Sequence, residues 1–174
     1  MSRCVSGEIF SRAPPVAVVP PGRFIVEDAQ EHVELLEARF AEARLFNPIQ
    51  TVPDGKLATE YLAGVGIFAD RETYPLPGIV LLDLVLPLMD GFEVLTWIRA
   101  HPQFAKLPVI VLTAHHSDLL IERALNTGAD GYLVKGADTA GLIALLKNAF
   151  LGWALVPRAD SKAFHRPLLT NARR

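Results

Sequence analysis

Two short runs constrain this chain more than any other feature: IVLLD at 79–83 and VIVLT at 109–113. Each is apolar at every position but its last, so neither has a face to give to water. Strands buried on both faces belong to parallel sheets covered by helices. The intervening sequence agrees. FIVED (24–28), IQTV (49–52) and GYLVK (131–135) are three further β-compatible runs. Val33, Leu36, Phe40 and Ala43 recur at helical spacing over 29–44. Leu57, Tyr61, Leu62 and Val65 suggest a second helix ending near Gly64 or Gly66, and Phe92, Leu95 and Ile98 share one face of a third. A fourth is predicted from about Ser117 to Thr127, stopped by Gly128. A fifth follows Asp138 and Thr139, with Leu142, Leu145, Leu146 and Ala149 inward. PDG at 53–55 marks a turn. Strand–helix alternation repeated five times predicts an α/β fold built on a doubly wound, five-stranded parallel sheet. Right-handed crossovers leave few topologies open.

Such sheets bind ligands beyond the carboxyl ends of their strands. The predicted strands end in Glu27 and Asp28, in Asp83, in Thr113 followed by Ala114, and in Lys135. A parallel sheet gathers these groups at one edge, which puts Asp83 at the rim of the core rather than inside it. Three crowded carboxylates repel one another, and a divalent cation compensates them. Magnesium takes hard oxygen ligands and keeps several waters, so a few carboxylates suffice. Lys135 offers a positive charge suited to phosphate oxygens, and Thr113 offers a hydroxyl. The set suits phosphoryl transfer, with Asp83 as the nucleophile that becomes an aspartyl phosphate. Each residue alone has a plainer role. Glu27 and Asp28 suit a helix N-cap and first turn, and Asp83 suits the start of a turn before Pro87. A lone Thr113 suits a structural role, and a lone Lys135 before a glycine suits a solvated one. Their shared position at one end of alternating strands favours the joint role.

The 174 residues suit one domain with additions at its ends. A net charge of −2 exerts no general pull on nucleic acid or anionic membrane. A single cysteine, Cys4, precludes an internal disulfide and fits a reducing compartment. The apolar runs are too short to span a bilayer, and Val16–Val19 is too short for a signal peptide, so a cytoplasmic protein is expected. Residues 1–22, with Pro14, Pro15, Pro20 and Pro21, read as an extended arm.

VED at 26–28, LLDLVLPLMDG at 81–91, VLTA at 111–114 and GYLVK at 131–135 together resemble the receiver domain of two-component response regulators. Their order and spacing match from about Phe24 to Phe150. The resemblance implies a flavodoxin-like fold with strand order 2-1-3-4-5, a receiver over 23–150 and an extension over 151–174. It implies that Asp83 is the phosphoacceptor. Glu27, Asp28, Asp83 and the backbone carbonyl of Val85 would hold Mg2+ or Mn2+. Thr113, Ala114 and Lys135 would contact the phosphoryl group, and Tyr132 would be the aromatic switch. The phosphoryl donor would be a phosphohistidine on a sensor histidine kinase. The long loop before the third strand and the apolar segment FLGWALVP (150–157) resemble single-domain regulators paired with phytochromes. That likeness implies a bacteriophytochrome as kinase and a homodimer using Phe150, Trp153 and Leu155.

Two positions depart from the family. Gly136 stands where a proline usually follows the lysine. A non-proline cis bond costs ~3–4 kcal/mol, which leaves a trans bond or a looser loop. Val85, two after Asp83, is apolar where the family tunes water access, so a slowly hydrolysed phosphate is expected. His115 and His116 suit solvated loop residues better than a zinc pair. The 24 residues after Phe150 are too few for a familiar DNA-binding output domain, and no direct DNA binding is expected. Their basic composition suits a solvated tail.

Three rivals remain. A degenerate receiver would serve as an interaction module. A haloacid-dehalogenase-type phosphatase would need a second aspartate at position 85, which is valine. A flavodoxin-type flavin binder would need a phosphate-cradling loop where EDAQEH is acidic.

Overall fold

A computed structural model of the chain describes residues 22–114, 117–135 and Ile143. Its elements alternate as β1 (Arg23–Val26), α1 (Gln30–Glu42), β2 (Ile49–Val52), α2 (Gly55–Ala63), β3 (Ile79–Asp83), α3 (Gly91–Ala100), β4 (Val109–Thr113), α4 (Asp118–Thr127) and β5 (Gly131–Val134). All strand pairs are parallel, and the order is 2-1-3-4-5. The predicted fold class and strand order hold. Apart from Ile143, the expected fifth helix lies outside the described residues, as do His115–His116, the Lys135–Gly136 bond and the 150–157 segment.

The two-sided strands feed two cores. Phe24, Val26, Val80, Leu82, Val109 and Val111 pack with Tyr61 and Leu62 of α2 and Phe92, Leu95 and Ile98 of α3. Ile25, Ile79, Leu81, Ile110 and Leu112 face the other way, onto Val33 and Phe40 of α1. Alternate residues of one strand thus serve opposite layers, as the period of two requires.

The helix ends carry their own signals. Asp54 caps α2 by accepting from Leu57 N at 2.7 Å, and Gly64 ends it in the left-handed region. Val65 therefore falls outside the helix and is exposed, unlike its expected place on the apolar face. Asp90 and Glu93 form a reciprocal capping box that opens α3. The loop from Gly64 to β3 is pinned from within. Arg71 Nη2 donates to Leu62 O at 2.6 Å and Nη1 to Tyr61 O at 2.8 Å, while the Tyr61 hydroxyl donates to Pro75 O at 2.6 Å.

Candidate functional site

The carboxyl ends of the three central strands bring the predicted residues together. Asp83 is level with Leu112 of β4, and Thr113, one step further, is level with Val134 of β5. Two expected strand ends shift by a residue or two. Glu27, Asp28 and Lys135 lie just past β1 and β5. The ladder still reaches Glu27 and Lys135, because Glu27 N donates to Val52 O at 3.0 Å and Lys135 N to Thr113 O at 2.7 Å. Glu27 and Lys135 are therefore placed by backbone bonds that outlast their strands.

Asp83 is buried, deeper than a rim position implies. Its burial is compensated on both oxygens. Oδ1 accepts from Val85 N at 3.2 Å, the turn that the sequence also allowed, and Oδ2 lies 2.5 Å from Lys135 Nζ. Room for the following loop comes from Gly91. A β-carbon there would collide with the Asp83 carbonyl oxygen.

Glu27 is buried as well, and Asp28 is exposed. Neither caps α1. The N-cap is Ala29, which has no side-chain cap. Glu27 Oε2 lies 2.6 Å from Lys135 Nζ. Glu27 Oε1 accepts from Ala29 N at 3.3 Å and lies 2.9 Å from His32 Nδ1. Carboxylate oxygens of Glu27, Asp28 and Asp83 come within 4.8 Å of one another. An all-oxygen set of this size fits Mg2+ or Mn2+ in charge and ligand hardness. Val85 is 69 % exposed at the mouth of the site.

Lys135 is not the solvated lysine that its sequence position alone suggests. Its side chain is only 15 % exposed. Burial opposes its charge, but hydrogen bonds and charge from Asp83 and Glu27 outweigh that, and its pKa is raised. The ammonium bridges β1 and β3 from the end of β5. Thr113 is buried, Ala114 is exposed, and Tyr132 stands exposed on the edge strand β5.

His32 was not singled out from the sequence. It lies one helical turn into α1, five residues past Glu27, and only the fold brings it to Glu27 and within 3.3 Å of Lys135 Nζ.

Comparison with known proteins gives a consistent picture. Residues 24–147 match the response regulator receiver domain family. The probable methanogenesis regulatory protein FilR2 of Methanothrix harundinacea is 32 % identical over 155 residues, spanning 87 % of this chain and 94 % of that protein. Response regulator Rcp1 of Synechocystis is 28 % identical over 129 residues, spanning 74 % of this chain and 86 % of that one. The Mn2+-bound crystal structure of Rcp1 superposes with a TM-score of 0.65 at 27 % identity, over 79 % of this chain and 99 % of that one. The bacteriophytochrome response regulator RtBRR superposes with a TM-score of 0.72 at 30 % identity, over 83 % and 89 % of the two chains.

Proposed function

Because the chain belongs to the response regulator receiver domain family, we propose that it is a phosphorylation-dependent signalling switch that accepts a phosphoryl group on Asp83. The observation that carries this is the clasp of Lys135 Nζ between Asp83 Oδ2 and Glu27 Oε2, beside the three gathered carboxylates. An aspartate held buried, with a cation on one oxygen and a backbone N–H on the other, is fixed in one orientation for attack.

In this reading a carboxylate oxygen of Asp83 attacks the phosphorus of a phosphohistidine on a sensor histidine kinase. The new P–O bond forms as the P–N bond breaks, and the imidazole leaves with the electron pair. Glu27, Asp28, Asp83 and the Val85 carbonyl would hold Mg2+ or Mn2+, which supplies charge stabilisation to the phosphoryl oxygens when bound. Lys135 releases Glu27 and turns its charge to those oxygens, with Thr113 and the Ala114 N–H as further donors. Thr113 then moves inward, and Tyr132 follows it from its exposed position on β5. This is a shift between two packings biased by one modification. The likeness to the bacteriophytochrome response regulator RtBRR supports a kinase of the phytochrome type.

Beryllofluoride or acetyl phosphate with Mg2+ tests the reading. Uptake is expected by mass spectrometry or as amide shifts around Asp83, Thr113 and Tyr132, and Asp83→Asn should abolish it. A wild-type protein that takes up neither reagent would instead be a degenerate receiver acting as an interaction module.

A further inference from the structure

We infer that His32 is a positioning residue for the divalent-cation site: it holds Glu27 in the orientation that leaves Oε2 available to the metal. The inference rests on the receiver reading given above.

His32 Nδ1 lies 2.9 Å from Glu27 Oε1 and 3.3 Å from Lys135 Nζ. An ionised carboxylate only accepts hydrogen bonds, and an ammonium only donates them. Nδ1 cannot serve both neighbours with one proton state. The shorter contact decides. At 2.9 Å, two lone pairs facing each other would repel, so Nδ1 carries a proton and donates it to Glu27. Lys135 has two carboxylate acceptors already, at 2.5 and 2.6 Å, and does not need the imidazole.

Glu27 Oε1 thus receives two donors, His32 Nδ1–H and the Ala29 backbone N–H. Ala29 is the N-cap of α1, and its own side chain caps nothing. The third helical position is where a capping-box residue normally reaches back to the N-cap. His32 occupies that position and reaches past the cap to Glu27, which in turn bonds the cap N–H. The start of α1 and the Glu27 carboxylate are locked together. Oε1 is committed to the helix, and Oε2 faces Lys135.

Hydrogen bonds to a metal-binding carboxylate set its orientation, and losing one typically costs 10–100-fold in metal affinity. Without His32, Oε1 keeps only the 3.3 Å bond from Ala29 N, so Glu27 turns more readily and offers either oxygen to Lys135. The ammonium then competes better with a divalent cation for the same carboxylate. His32 itself is half-exposed, so truncation opens no cavity, and alanine is a good helix former.

Mn2+ binding to the unphosphorylated protein, followed by electron paramagnetic resonance of free Mn2+, provides the test. His32→Ala should weaken binding about tenfold or more. His32→Asn places an amide N–H near the position of Nδ1 and should restore affinity to within about threefold of wild type. Nitrogen-15 spectra of the metal-free wild type should show His32 protonated at Nδ1. Normal wild-type binding with an undiminished alanine variant overturns the role of His32 alone. An asparagine variant as weak as alanine, or a deprotonated Nδ1, overturns it too. A wild-type protein that binds no Mn2+ overturns the receiver reading and this role with it.

Discussion

At the scale of single residues, the site depends on a glycine as much as on its charges. Gly91 sits where α3 begins, and its hydrogen faces the carbonyl of Asp83 and the Cα of Leu84. Those are backbone atoms and cannot swing aside as a side chain would. Adding one methyl group must push α3 or the end of β3 away. Gly91→Ala should therefore destabilise the protein by about 1–3 kcal/mol, as overpacking does. The check is urea denaturation, where the midpoint should fall with little change in slope. The sequence placed Gly91 inside its most informative motif, LLDLVLPLMDG, but the motif alone did not say what the glycine avoids.

At the scale of elements, helix ends were legible where side-chain chemistry marks them and obscure where it does not. Gly128 ends α4 and Gly64 ends α2, as their sequence positions suggested. The end of α1 has no such mark. Its chain turns at Arg44, which adopts φ 58. Arg44 N bonds Ala41 O at 3.0 Å, and Leu45 N bonds Phe40 O at 2.8 Å, the paired bonds of a Schellman ending. Leu45 is buried beside Phe40, which pulls the chain into this turn despite the left-handed arginine. A left-handed conformation costs an L-residue roughly 1–2 kcal/mol, partly offset in glycine by its freer unfolded state. The Arg44 side chain is exposed, so little else is lost. Arg44→Gly should raise stability by about 0.5–1 kcal/mol, measured as a higher thermal midpoint.

At the scale of the whole molecule, Tyr61 ties the long loop before β3 into the core. Its ring stacks on Phe24 at 4.3 Å between centroids and meets Phe68 edge-on at 5.3 Å. Burial pushes its hydroxyl pKa up to about 12, with the Arg71 charge working the other way and Tyr74 adding a little. An unfolded tyrosine titrates near pH 10. The folded pKa is the higher one, so the stability from Tyr61 is complete below about pH 10 and is lost as pH rises through about 12. Tyr61→Phe loses the bond to Pro75 and should be about 1 kcal/mol less stable at pH 7. That gap should close between pH 10 and 12, as urea midpoints of the two proteins converge. A constant gap would mean that the hydroxyl is not held neutral by the fold.

The sequence by itself determined the five parallel strands and which acids, threonine and lysine gather at the candidate site. Those follow from local periodicity and from the last residue of each strand, which any parallel sheet sends to one edge. Only the tertiary structure decided how those groups pair. Lys135 reaches Asp83 across 52 residues and His32 across 103. Neither contact leaves a trace in the spacing of apolar residues. The burial of Asp83 was decided there too, because a strand end counts as core or rim according to what the neighbouring strands and loops place over it. A pattern along one strand fixes which face a side chain takes; the packing of five strands fixes its partner.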